Sequence, residues 1–195
     1  RDAGIEAINS GFTRYTAVAG IPELRQAIAE KFKRDNDLEY DASDILVSSG
    51  GKQCIFNLLM AVMNPGERAI IPAPYWVSYP DMALLAGAAP VVIHTTVDAR
   101  YKITATQLEA AITPKTKLLF FNSPSNPSGI AYTHAELKSL GEVLLKYPNI
   151  LIATDDIYEH ILWSGPFVNI LDACPELYSR TVVLNGVSKA YAMTG

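Results

Sequence analysis

Five short apolar runs recur along the 195 residues: "RAIIPA" (68–73), "PVVIHT" (90–95), "KLLFFN" (117–122), "ILIATD" (150–155) and "TVVLN" (181–185), with helical patterns between most of them. Each run is apolar throughout rather than alternating, so a strand made from it needs cover on both faces. Strands of this kind joined through helices form a parallel sheet between helical layers. The chain is therefore predicted to be α/β, with a mostly parallel sheet sandwiched between helices. "DILVS" (44–48) reads as a further strand, placed before the glycine pair Gly50-Gly51.

The segments between the runs have the period of helices. "PELRQAIAEKFKRD" places Leu24, Ile28 and Phe32 on one face behind a proline at the start. "KQCIFNLLMAVM", "VSYPDMALLA" and "TQLEAAI" are shorter helical patterns. "THAELKSLGEVLLKY" opens with Thr133 and has Glu136 three residues on, the signature of a capping box. At this length one core is the default. The longest apolar stretch, "ALLAGAAPVVI", is interrupted by Pro90 and too short to span a bilayer. A net charge of −4 gives nucleic acid no basic face to bind. Cys54 and Cys174 lie far apart, and His94, His134 and His160 share no ligand spacing, so no metal site is expected. Two free thiols and no leader pattern suit a cytoplasmic protein. "RDAGIEAIN" has no initiating Met and reads as a chain met part-way along.

Parallel sheets collect ligands at the carboxyl ends of their strands, which makes those ends a search list. "SSGGKQ" puts Gly51 and Lys52 where helix amides favour an anion, although a plain strand-to-helix turn has the same composition. Trp76 in "PAPYW" suits either the core or the face of a flat ligand. Asn126 sits in the proline-rich turn "NSPSNPSG", as a turn former or as an amide placed for a ring substituent. In "TDDIY", Asp155 or Asp156 can cap the following turn; alternatively Asp155 is a buried carboxylate facing a cationic ring nitrogen. Tyr158, three residues on, falls on the same side of a helical turn. Lys189 in "NGVSK" is a surface lysine, or one whose half-buried amine serves as nucleophile and base. The functional readings converge on one ligand: a flat, phosphorylated, cationic heteroaromatic aldehyde, pyridoxal 5'-phosphate (PLP).

The strings "YTAVAGIPELR", "PYWVSYPDM", "NSPSNPSG", "DDIYEH" and "NGVSKAYAMTG" resemble the class I/II aminotransferases of PLP fold type I, especially the bacterial aspartate aminotransferase group. The likeness runs from residue 1 to residue 195 in family order. It implies that Lys189 bonds the cofactor and moves protons, that Asp155 partners the pyridine nitrogen, and that Asn126 and Tyr158 meet the ring oxygen. It further implies Trp76 stacked on the ring, the backbone of Gly51 and Lys52 on the phosphate, and Trp76 and Asn126 beside the substrate carboxylate. Tyr15 matches a tyrosine that reaches the cofactor phosphate of the neighbouring subunit, so a homodimer is implied.

The activity implied is transfer of an amino group from an amino acid to a 2-oxo acid, aspartate and 2-oxoglutarate first, with aromatic amino acids or prephenate as alternatives. Some transcription regulators use an aminotransferase-like domain as a PLP sensor, and the residues here do not separate that class. Gly186 stands where many relatives have a phosphate-binding hydroxyl. By the same resemblance, residues 1–195 make up the PLP-binding large domain. An N-terminal arm, a Trp-Arg pair after "AMTG" and a C-terminal small domain with a carboxylate-binding arginine are expected outside them.

Overall fold

The computed structural model describes residues 1–194, which divide into one unit covering 1–48 and a second from residue 49 onward. In the first unit, helix α1 (Asp2–Asn9) buries none of its residues. Helix α2 (Pro22–Asn36) starts at the proline, whose missing N–H has no partner in a first turn anyway, and ends at Asp37 in the left-handed region. Its Phe32 is buried and meets Tyr40 edge-on, with ring centroids 5.5 Å apart. Gly20 has φ +100°, and a Cβ there would stand 2.7 Å from a Val47 methyl carbon, so this crossing requires glycine.

"DILVS" does not become a strand. A short 3-10 turn (Ala42–Asp44) takes its start, and Val47 N–H then makes a single backbone bond, 3.0 Å, to the Ala19 carbonyl. An extended run without a neighbouring ladder remains a loop, whatever its composition.

The second unit holds helix α3 (Gly51–Val62), strand β1 (Arg68–Pro72), helix α4 (Ser78–Leu85), strand β2 (Ala89–Ile93), helix α5 (Ala105–Ala111), strand β3 (Thr116–Asn122) and helix α6 (His134–Leu145). Strand β4 (Leu151–Asp155), helix α7 (Ile170–Ala173), a 3-10 turn (Pro175–Arg180) and strand β5 (Thr181–Leu184) complete it. All five strands are parallel, in the order β2-β1-β3-β4-β5. The sheet is thus the predicted one, flanked by helices. Ala69, Ile71, Leu118, Phe120, Ala153 and Leu184 face a core with Ile55 and Leu59 of α3 and Met82 and Ala83 of α4. The residues between them, Ile70, Leu119, Phe121 and Ile152, are buried as well, so the opposite face is also covered. The capping box predicted for α6 is present, Thr133 accepting from Glu136 N–H, and Lys102 pairs with the Glu136 carboxylate at 2.7 Å. Among the described residues no helix is long and apolar enough to cross a membrane.

Candidate active site

In this strand order β1, β3, β4 and β5 are successive neighbours, so the loops from their carboxyl ends stand side by side. Those loops carry, in the same order, Trp76, Asn126, Asp155 with Tyr158, and Lys189. The chain runs from β1 outward to β2 and then places β3 on the other side of β1. Such a reversal opens a crevice at the strand ends, where ligands settle.

Asp155 ends β4, opposite Asn122 on one side and Leu184 on the other. It is 8% exposed. The Tyr79 hydroxyl donates to its Oδ2 at 2.6 Å, and the Ile157 N–H to its Oδ1 at 3.3 Å. Burial pushes the Asp155 carboxyl above its ordinary range, against the two donors. Burial and the Asp155 charge push the Tyr79 hydroxyl far up in turn, so it remains a donor. Sequence reasoning missed Tyr79. Its ring lies parallel to Phe120 at 4.9 Å and edge-on to Trp76 at 5.5 Å, which sets the direction of its hydroxyl. The available signal was position: Tyr79 follows Trp76 by three residues at the start of α4.

Asn122 was also missed. Its Nδ2 donates to the Asp155 carbonyl at 2.8 Å and its Oδ1 accepts from Asn126 N–H at 2.8 Å. One side chain thus fastens the proline-rich turn to the end of β4. The Asn126 carboxamide itself has no protein partner among the described residues and is half-buried. The Tyr158 hydroxyl is pushed up by burial and then by the Asp155 charge.

Asp156 corrects an expectation. As a cap of the following turn its carboxylate would be partly hydrated, yet it is 2% exposed. Thr154 Oγ1 donates to its Oδ1 at 2.7 Å, and Asn169 Nδ2 donates to its Oδ2. Burial is the main cause that pushes its carboxyl up to about 7. Glu159, also buried, accepts from Asn185 Nδ2 at 2.9 Å. The turn that follows is closed by Glu159 N–H on the Asp156 carbonyl and Ile161 N–H on the Tyr158 carbonyl.

Gly50 precedes α3 with φ +89°, and the first-turn amides of Gly51 and Lys52 have no carbonyl of their own helix to bond. The Ile157 δ-methyl lies 3.7 Å from a Cβ built on Gly51 and 3.5 Å from one built on Gly186. The start of α3 therefore meets the turns after β4 and β5 around one side chain. Lys52 Nζ sits 5.2 Å from the centre of the Trp76 ring, so its ammonium turns toward the indole while its N–H stays at the helix start. Trp76 is half-buried and packs against the core.

Lys189 departs from the expectation of a half-buried amine: it is exposed, on a turn closed by Tyr191 N–H to the Val187 carbonyl at 3.2 Å. Tyr15, in the first unit, is fully exposed at 107%. The stretches around Gly51, Trp76, Asn126, Asp155 and Lys189 contain no arginine, and Arg180 is engaged with the Leu144, Tyr147 and Ile150 carbonyls at 2.7–3.1 Å. No group of acidic, His and Cys side chains suited to a metal occurs among the described residues.

Comparison with known proteins joins this geometry to a family. Residues 1–195 match the family described as aminotransferase class I and II. An aspartate/prephenate aminotransferase of Nitrosomonas europaea is 63% identical over the whole chain, which covers 49% of that protein. One from Cereibacter sphaeroides is 55% identical, with 99% of this chain and 48% of that protein aligned. Among solved structures, the aspartate aminotransferase from Rhizobium meliloti superposes with a TM-score of 0.97 at 48% identity, covering 100% of this chain and 49% of that one. The Thermus thermophilus aspartate aminotransferase with maleate gives 0.94 at 40% identity, covering 100% and 50%. The chain spans about half the length of the curated relatives it matches.

Proposed function

The chain belongs to the aminotransferase class I and II family, and we propose that its protein moves an amino group between an amino acid and a 2-oxo acid with PLP as cofactor. The observation that carries this reading is Asp155: a carboxylate buried at a strand end, furnished with a hydroxyl and an amide donor, and without a cation beside it among the described residues. A buried carboxylate of this kind is stabilised by a cationic partner, and a protonated ring nitrogen supplies one. The remaining groups suit the rest of that molecule. Trp76 offers a ring face, Asn126 and Tyr158 offer donors for a ring oxygen, and the Gly51 and Lys52 amides suit a phosphate at a helix start.

When bound, PLP supplies an electrophilic carbonyl carbon and a ring that accepts the charge left at a substrate Cα after proton loss. This chain's residues do the rest. Lys189 Nζ would anchor the cofactor and, when free, would take the Cα proton as base and deliver it as acid to the carbon of the cofactor's carbonyl group. The Asp155 carboxylate keeps a proton on the ring nitrogen. Tyr79 and Asn122 hold Asp155 and Asn126 in place. Aspartate and 2-oxoglutarate are the proposed pair, and the names of the Nitrosomonas and Cereibacter relatives favour prephenate as a further acceptor.

A homodimer with Tyr15 reaching the neighbouring subunit's phosphate accords with the full exposure of that side chain. A phosphate dianion and a substrate carboxylate each call for a guanidinium. The stretches around Gly51, Trp76, Asn126, Asp155 and Lys189 have none, so other segments of the protein or the partner subunit are proposed to supply both. Free Cys54 and Cys174 accord with a cytoplasmic setting. In the test, full-length protein loaded with PLP is reduced with borohydride and mapped by peptides, alongside a screen of amino donors and 2-oxo acceptors. The label is expected on Lys189, with aspartate the best donor. A label elsewhere, or no transfer with any pair, overturns the reading.

A further inference from the structure

Lys189 is exposed, yet the loop that carries it is fastened at its base. Asn185 directly follows β5. Its Nδ2 donates to Glu159 at 2.9 Å, while its Oδ1 accepts from the Gly186 N–H at 2.7 Å. Both ends of the carboxamide are therefore engaged, one across to the β4 turn and one along its own loop. Gly186 then packs under the Ile157 methyl. Further along, the Tyr191 ring meets His160 edge-on at 6.3 Å, and His160 Nε2 lies 3.2 Å from Glu159 Oε1. Glu159 is 7% exposed, a costly place for a carboxylate unless its bonds matter. Packing alone would be served by an apolar side chain.

From this geometry we propose that Glu159 is a positioning residue: through Asn185 it ties the Lys189 loop to the turn that aims Asp155 and Tyr158. The Glu159 N–H bonds the Asp156 carbonyl at 2.9 Å, so the anchor belongs to the short turn that directly follows Asp155 and contains Tyr158. The proposal rests on the aminotransferase reading and adds to it how the proton-moving amine keeps its place relative to the ring-holding carboxylate. A general base must stand within hydrogen-bond reach of the proton it moves, and misplacement by about 1 Å can cost up to about a hundredfold.

The test uses full-length protein with Glu159→Ala, Asn185→Ala, the double variant and Glu159→Gln, which keeps an oxygen facing the Asn185 amide. In the cofactor-free protein, amide exchange of the Lys189 loop is expected to quicken in both alanine variants and to be restored by Glu159→Gln. With PLP at equal occupancy, the fraction trapped on Lys189 by brief borohydride treatment should fall. The same variants should lose on the order of tenfold in kcat with the donor KM little changed, and the double variant should lose no more than either single one. Unchanged loop exchange, or additive losses in the double variant, overturns the tether. A wild-type protein that traps no cofactor on Lys189 instead overturns the functional reading, and the exchange experiment still decides the tether.

Discussion

The turn after β4 and the loop after β5 are neighbours built in opposite ways. In the first, Asp155, Asp156 and Glu159 are all buried, and each meets a donor from a different part of the fold: Tyr79 in α4, Asn169 before α7, and Asn185 after β5. In the second, Val187, Lys189, Tyr191 and Met193 are exposed. The ring-holding side of the proposed site is thus assembled by this chain alone. Lys189, proposed to carry the reactive amine, stands exposed on a loop fastened at its base by Asn185. Substitutions in the β4 turn should therefore act through its buried network, on chemistry at Asp155 and on stability at Asp156, whereas those at the tip of the β5 loop should alter chemistry alone.

Lys189→Ala tests the sharper half of that contrast. Amino transfer should fall by several orders of magnitude, since the proposed function gives one amine the roles of anchor and proton carrier. The unfolding free energy of the cofactor-free protein should stay within about 0.5 kcal/mol, as expected of an exposed side chain. A large loss of stability would show that the loop packs against something its exposure does not reveal.

Asp155→Asn comes next, with an expected loss on the order of a hundredfold or more, because a carboxamide does not hold a proton on the ring nitrogen as a carboxylate does. Cofactor-free stability at neutral pH should not drop with it, since a buried carboxylate is replaced by a neutral group still able to accept from Tyr79. Asp156→Asn should keep most of the activity. Equal activity losses in the two variants would erase the distinction between a side chain that faces the ligand and one that fastens the turn.

These two aspartates also mark how far the sequence could be read. The five strands of the sheet and the placement of Asp155 at a strand end were legible because continuous apolar runs announce their own ends, and a polar residue at such an end stands out. Asp156 was misread because adjacency says nothing about direction. Its partner Asn169 is thirteen residues away, along a segment whose short helix carries no periodic signal. "DILVS" failed for a related reason: composition reports that a run can pair, but pairing needs a neighbour. Tyr79 and Asn122 act through hydrogen bonds that join separate strand ends, and no spacing in the chain encodes those. The half-burial expected of Lys189 assumed a finished pocket around it, whereas residues 49–194 leave it exposed.

Tyr79→Phe probes the support of Asp155 without touching its carboxylate. The ring stack on Phe120 survives and one donor is lost, so activity should fall by about tenfold. Losing a donor to the charged form raises the Asp155 pKa, and the acid limb of the pH–rate profile should move to higher pH. A drop in rate with the acid limb unmoved would mean that Tyr79 serves the core alone.

The smallest effect expected lies on the far side of the same turn and concerns stability. Burial, chiefly, lifts the Asp156 carboxyl from an ordinary 3.8 to about 7, with the Asp155 charge adding to it and the Thr154 hydroxyl opposing it. Because the native value is the higher one, the folded protein binds this proton more tightly than the unfolded chain does. Stability from this group is therefore present at low pH and is lost as pH rises toward the native value. In Asp156→Asn the Asn169 amide can still donate to the new carboxamide oxygen, and the Thr154 hydroxyl can accept from its NH2, so the network survives while the titration disappears. The variant should gain on the wild type by about 1 kcal/mol between pH 6 and pH 8, measured by denaturant unfolding of the cofactor-free full-length protein. A gap that stays constant across that range would mean the Asp156 proton is not governed by burial. The β4 turn would then resemble the β5 loop more closely than its hydrogen bonds suggest.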